Sequence, residues 1–395
     1  MLREKHIVLR NLAGGTRDVF RGAQPQVTGI GAPEELKVDI EELTMREVPK
    51  LARDRDVLAI APSIPLKLIE PIGKRTEVQP SGNSTAWGVQ AVGADDTPFT
   101  GDGITVAVLD TGIDASHPAF QGVELVERDF TGEGNGDKHG HGTHCAGTIF
   151  GRTTAGTRIG VAQGVKKALI GKVLGQNGGG SDQIVRAIQW AVEEGANVIS
   201  MSLGIDFPGL VRRLTEADFP IELATSRALD GYRANVMLFE RVASLVRAQA
   251  VFGAGAIIVA AAGNESQRDV RPDFEIGVSP PAAAEGIISV AALARGSNGL
   301  VVAGFSNTGA NVAAPGVEII SARAGGGFVT MNGTSMATPH VAGVAALWGE
   351  QIKQVGGVLG SQLPHRLIAS GTQKALDQSV DLTDVGAGLV RAPKE

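Results

Sequence analysis

Three segments carry side chains whose types and spacing could do covalent chemistry. Val108–Asp114 reads Val-Leu-Asp-Thr-Gly-Ile-Asp, with Asp110 closing an apolar run. A carboxylate at the end of a buried parallel strand sits where α/β sheets gather their sites, although aspartate also caps turns. His139–Thr148 reads His-Gly-His-Gly-Thr-His-Cys-Ala-Gly-Thr. His141 and His144 would share one helical face, as in a zinc motif, but Gly142 stands where the zinc protease motif carries glutamate, which weakens the metal reading. Asn332–Gly343 places a Gly-Thr-Ser turn before a helix rich in Ala and Val, with Pro339 expected in its first turn. A serine there is commonly a cap. The alternative is that Ser335 is a nucleophile whose neighbouring amides face an oxyanion.

Taken together, in the order Asp, His, Ser, these segments resemble the subtilases. The resemblance runs from Trp87 onward through Ser200-Met-Ser-Leu-Gly204, Ala260-Ala-Ala-Gly-Asn264, Phe305-Ser-Asn-Thr-Gly309 and Gly386-Ala-Gly-Leu-Val-Arg-Ala392. It implies a serine endopeptidase working through an acyl-enzyme. Ser335 would attack the scissile carbonyl, His141 would carry the proton, and Asp110 would orient the imidazole. The Asn264 side chain and the Ser335 backbone N–H would hold the oxyanion. The same resemblance puts a peptide substrate, as an added strand, between Gly178-Gly179-Gly180 and Ser202-Leu203-Gly204. Ala261, Ala262, Gly263, Leu203 and Ser279 would line the first specificity pocket. Pro280-Pro281 falls where the family commonly has a cis peptide bond.

Some features depart from the family or invite other readings. Ala119 stands where many subtilases have a calcium-ligating aspartate, and Phe150–Arg158 contains no acid. No cofactor is therefore required, and the usual strong calcium site is expected to be absent. Asp129, Glu133, Asn135 and Asp137 form an oxygen-rich loop that could hold calcium elsewhere or be a solvated acidic loop. Cys145 reads as a small buried apolar side chain, and His144 and His340 read as packing residues. A serine esterase would carry its nucleophile in Gly-x-Ser-x-Gly with the chain order Ser, Asp, His, and this sequence has neither. A catalytically silent homologue acting as a binding module is disfavoured because all four chemical residues are present.

The elements that must position these groups follow from hydropathy. Apolar runs at Ile104–Leu109, Ala168–Val173, Val198–Ser202 and Ala256–Ala260 alternate with helical spacing. This indicates a mainly parallel sheet covered on both faces, an α/β three-layer sandwich. Ser181 and Asp182 are expected to cap a helix running to Glu194. Ile205–Arg233 exceeds the family norm and is either an extra helix beside the cleft or a surface elaboration. Ahead of this domain, residues 1–72 read as a small α+β unit, with strands at Ile7–Leu9, Val38–Ile40 and Val57–Ala61 and a helix over Thr44–Arg55. Arg10–Pro33 is glycine-rich and poorly patterned. The expected partition is a pro-domain at 1–72, a linker at 73–83 with a possible processing site, and a peptidase domain at 84–395. The resemblance implies that the pro-domain's tail occupies the substrate groove as an intramolecular inhibitor.

The whole chain has 395 residues, 43% of them hydrophobic, and a formal net charge of −6. That balance gives no electrostatic case for nucleic acid or an anionic membrane, so protein or peptide is the expected partner. No apolar run reaches transmembrane length and no secretory leader is recognisable. One cysteine precludes an intrachain disulfide. These features point to the cytoplasm, or to secretion if the sequence is a trimmed piece.

Overall fold

The computed structural model describes residues 3–11, 36–79, 82–249 and 255–395. Most of the glycine-rich Arg10–Pro33 stretch, and Pro80 and Ser81 of the expected linker, lie outside the described residues. Among the described residues the central sheet has eight strands. Thr105–Asp110 lies in its middle, flanked by Lys167–Lys172 and Val198–Met201, both parallel to it. Ile257–Ala261, Ile287–Arg295 and Val312–Pro315 extend the parallel pairing on one side, and Glu124–Asp129 extends it on the other. Leu300–Val302 adds an antiparallel edge.

Successive side chains on a strand face opposite ways, and both faces here are apolar. Val106 and Val108 join one core with Ala146, Ile149, Val341 and Val344, which come from the helices His141–Phe150 and Thr334–Gln354. Ala107 and Leu109 join the other core with Ile184, Ile188, Leu238 and Phe239, from the helices Ser181–Glu193 and Ile221–Ala248. The three-layer α/β fold expected from the sequence is what forms.

The N-terminal unit is an antiparallel sheet in the order Leu36–Leu43, Glu4–Asn11, Val57–Pro62. Ile7, Leu9 and Ala61 share the core of Ile184 and Leu238, so the unit sits on the helices Ser181–Glu193 and Ile221–Ala248. The expected helix over Thr44–Arg55 is cut to Val48–Leu51. Pro49 tolerates only a first turn, the Glu47 carboxylate accepts the Thr44 N–H at 2.8 Å, and Met45 is left exposed. Ser181 and Asp182 do not cap their helix as expected. Gly180 takes that position, with its N–H bonded to Gln183 Oε1 at 2.8 Å. The two polar side chains turn instead to the N-terminal unit, where Ser181 Oγ accepts the Ile64 N–H and Asp182 accepts the Ser63 hydroxyl at 2.6 Å.

The long stretch after Gly204 is two helices, Phe207–Glu216 and Ile221–Ala248, the second running well past Arg233. Asn235, fully buried, donates to the Pro62 carbonyl at 2.9 Å. From there the chain crosses the molecule. Pro65–Leu68 is the middle strand of a small antiparallel sheet, between Gly179–Gly180 and Leu203–Ile205. Thr76–Val78 then pairs with Phe328–Met331. The chain is therefore already extended from Pro65, ahead of the expected linker at 73–83. Just past the expected linker, Ser84–Thr85 pairs with Thr157–Arg158.

Candidate active site

Asp110 ends the middle strand and His141 begins the helix beside it. The two residues are 1% and 0% exposed. His141 donates Nδ1–H to Asp110 Oδ1 at 2.8 Å, and the same oxygen accepts the Thr111 N–H at 2.8 Å. Burial opposes a charged imidazole, but the adjacent Asp110 charge prevails and raises His141 well above its ordinary 6.5. His141 Nε2 is buried and has no hydrogen-bond partner among the described residues. It is the ring atom from which a proton can be exchanged.

Gly142, where the zinc protease motif carries glutamate, leaves no room for a side chain. A Cβ there would run into the Gly112 carbonyl, so only glycine lets the helix start this close to the Asp110 turn. His144 is buried against the Ile319 carbonyl at 3.0 Å, and burial pushes it down to about 3. His340 donates to the Met336 carbonyl at 2.8 Å and is likewise pushed down to about 4. Both act as packing residues.

Asp137 is the residue that sequence reasoning misplaced. Its Oδ1 accepts the Thr111 hydroxyl at 2.9 Å and the His139 and Gly140 N–H groups, and its Oδ2 accepts the Thr143 N–H and hydroxyl. The Thr111 hydroxyl in turn accepts the Gly142 N–H at 2.9 Å. One carboxylate thus ties the strand end carrying Asp110 to the helix start carrying His141. Asp129 is similarly taken up by Thr131 and Gly134, and Glu133 by Lys172 and the Gln176 N–H. The loop is knitted into the protein and is not simply solvated.

Ser335 lies in the first turn of its helix, but Pro339 is in the second turn, not the first. Proline has no N–H to offer the carbonyl four residues back. That carbonyl belongs to Ser335, and it accepts Ser202 Oγ at 3.5 Å and the Cys145 thiol at 3.4 Å instead. Cys145 Sγ also lies 3.8 Å from His141 Nδ1, so the expected bland packing residue touches both His141 and Ser335. Asn264 is fixed through Oδ1, which accepts the Thr334 N–H at 2.9 Å and hydroxyl at 2.8 Å.

The chain crossing the molecule meets these groups in order. Ile69 N–H bonds to the Ser202 carbonyl at 3.4 Å. Ser335 Oγ donates to the Ile69 carbonyl at 3.0 Å, and Asn264 Nδ2 donates to the next carbonyl, Glu70, at 2.9 Å. Gly179 and Gly180 pair with Leu66 and Pro65, and Leu203 and Gly204 pair with Leu68 and Lys67. Gly178 supplies the left-handed turn before its strand, at φ 80°. A Cβ on Gly204 would lie 3.6 Å from Ile69 and 3.7 Å from Ser279, so the Ile69 side chain fills the space between them. Ala261 and Ala262 are fully buried behind it, the Ala262 carbonyl accepts the Ser279 N–H at 3.0 Å, and the Gly263 N–H reaches Thr334 Oγ1. Pro280-Pro281 is cis.

The model of the subtilase family matches residues 101–381. The chain belongs to the subtilases. It is similar to the Thermostable alkaline protease of Halalkalibacterium halodurans, 34% identical over 323 residues, which are 80% of this chain and 73% of that one. It is also similar to the M-protease of Shouchella clausii, 33% identical over 82% of this chain and 75% of that one. The Intracellular serine protease of Paenibacillus polymyxa is 37% identical over 62% of this chain and 67% of that protein. This subtilase is a serine endopeptidase. No helix among its described residues is long and apolar enough to cross a membrane.

Proposed function

We propose that Ser335, His141, Asp110 and Asn264 carry out peptide hydrolysis in this subtilase, and that residues 1–72 restrain it as a pro-domain. The observation that carries the reading is the convergence of the Ser335 hydroxyl and the Asn264 amide on consecutive carbonyls of one strand lying between two glycine-bearing walls. In the reaction, Ser335 Oγ forms a bond to the scissile carbonyl carbon as its proton passes to His141 Nε2. Asn264 Nδ2 and the Ser335 N–H hold the oxyanion. The C–N bond breaks as His141 gives the proton to the leaving amine, and water then releases the acyl group by the same route. Asp110 keeps the imidazole oriented throughout. No step calls on a cofactor.

The tail sits like a substrate up to Ile69, whose side chain fills the pocket beside Ser279. However, the oxyanion donor Asn264 holds the carbonyl of Glu70 and not that of Ile69. Such a strand blocks the cleft without presenting its Ile69 carbonyl for attack, which supports an inhibitory role. In this reading residues 73–83 are the connection to the peptidase domain. A cytoplasmic location belongs to the same proposal, supported by the single cysteine and by the relative named as an intracellular serine protease.

Labelling with a fluorophosphonate probe tests the chemistry. The probe should attach to Ser335, and Ser335→Ala should abolish both labelling and casein cleavage, by roughly 10⁴-fold or more, with the melting temperature little changed. Near-normal cleavage by the alanine variant would refute the assignment.

A further inference from the structure

A cation held between two acids lies just upstream of the carbonyl that Ser335 touches. Lys67 belongs to the strand Pro65–Leu68 and pairs with Gly204. Its Nζ is 3.5 Å from Asp206 Oδ1 and 3.6 Å from Glu265 Oε1. The wall fixes the register. With Ile69 donating to Ser202 and its carbonyl accepting Ser335 Oγ, Ile69 takes the place that the residue before the cleaved bond would take in a substrate, and Lys67 takes that of the third before it. Strand alternation sends Lys67 to the same face as Ile69, and Leu66 and Leu68 to the other.

Neither acid depends on Lys67 for its position. Asp206 caps the helix Phe207–Glu216, accepting the Gly209 N–H at 3.2 Å. Glu265 follows Asn264 directly, with its N–H on Asn307 Oδ1 at 3.0 Å and its Oε2 held by Asn307 Nδ2 at 2.9 Å, so Oε1 is turned toward the strand. Two fixed carboxylates converging on one point favour a cation there and disfavour an anion.

We infer that Asp206 and Glu265 form a subsite that selects lysine or arginine at the third residue before the cleaved bond. The inference rests on the reading of Ser335 as nucleophile and of the tail as a substrate-like strand. It also gives the helical insertion a part in specificity, since Asp206 opens it. The groups are partly exposed, with Lys67 at 44%, Asp206 at 32% and Glu265 at 36%. Solvent screening therefore limits the preference to roughly 3- to 10-fold in kcat/KM.

The test uses the full chain, with active sites counted by fluorophosphonate, and three peptides that differ only at the third position: Leu-Lys-Leu-Ile, Leu-Ala-Leu-Ile and Leu-Glu-Leu-Ile. The lysine peptide should exceed the alanine peptide by about 3- to 10-fold, and the glutamate peptide should be the poorest. In the double variant Asp206→Asn, Glu265→Gln the three values should converge, whatever happens to the overall rate. In the full chain, Lys67→Glu should speed probe labelling of Ser335 severalfold by loosening the tail, and Lys67→Arg should not. Equal kcat/KM for all three peptides with active wild-type enzyme would overturn the inference and leave the peptidase reading standing. Enzyme freed of residues 1–72 that folds normally yet neither labels nor cleaves any of the three would overturn both.

Discussion

Asp110 and His141 are shut away from solvent at 1% and 0% exposure and are braced by Thr111, Asp137 and Thr143. The strand that crosses above them is held differently, by backbone ladders, single hydrogen bonds and half-exposed ion pairs such as that of Lys67. A buried network loses the desolvation cost of every group left unpaired when one member is removed. A strand held by many small contacts loses little at each. The centre is thus braced in one geometry, and the weaker hold on the tail suits the proposed pro-domain role. Substitutions in the two regions should differ in magnitude by orders, and a residue that breaks this rule belongs to both.

The largest effect after Ser335→Ala is expected for Asp110→Asn, about 10⁴-fold in kcat. It should also change the pH profile. His141 must be neutral to accept a proton, so probe labelling should be weak at low pH and rise through a midpoint above the ordinary 6.5. The stabilisation from the charged pair runs the other way. It is fully present below 6.5 and fades as pH rises through the raised folded value, each tenfold gain in proton affinity on folding contributing about 1.4 kcal/mol. Labelling rate and melting temperature measured across pH should therefore move in opposite senses in the wild type. A labelling midpoint at or below 6.5 would contradict the pairing.

Asn264 belongs to both regions, since it anchors Thr334 and also grips the tail at Glu70. Asn264→Ala should cost roughly 10²- to 10³-fold in kcat while weakening the hold on the tail. Loss of turnover with unchanged tail protection, read by limited proteolysis around Ile69–Pro71, would show that the Glu70 contact holds nothing. A third test separates the regions physically. Residues 1–72 added in trans to enzyme lacking them should inhibit at micromolar concentration or below. Full activity and normal folding of the shortened enzyme, with no inhibition on adding the segment, would sink the pro-domain proposal.

The division also explains what could be read from the sequence. Asp110, His141, Ser335 and Asn264 sit in long local motifs, and the buried strands announce themselves as apolar runs, so the core and the residues of the candidate site were legible. Features that depend on remote partners were not. Leu66 and Leu68 alternate as a strand should, yet their partners are Gly179 and Leu203–Ile205, more than a hundred residues away. Asp137 looked like one more acid in a loop, because its partners assemble only when the helix at His141 meets the turn at Thr111. The helix expected over Thr44–Arg55 fails for a local reason that the sequence itself carries, Pro49.

The smallest expected effect concerns Cys145, which is buried with the core yet touches the chemistry. Its thiol donates to the Ser335 carbonyl that Pro339 leaves without a helical partner, and it packs 3.8 Å from His141. Burial raises its pKa, so the reactive thiolate is scarce and reagents should act slowly. A mercurial that does attach four residues along the helix from His141 has no room beside the imidazole, and activity should fall as labelling proceeds. Cys145→Ala removes the weak hydrogen bond and a little volume. It should keep most of the activity, lose no more than about 1 kcal/mol of stability, and resist the reagent. The variant remains braced at the same carbonyl by Ser202. An alanine variant that folds normally but is inactive would make the thiol part of the mechanism. An alanine variant that is active and still inactivated by the mercurial would place the damage elsewhere.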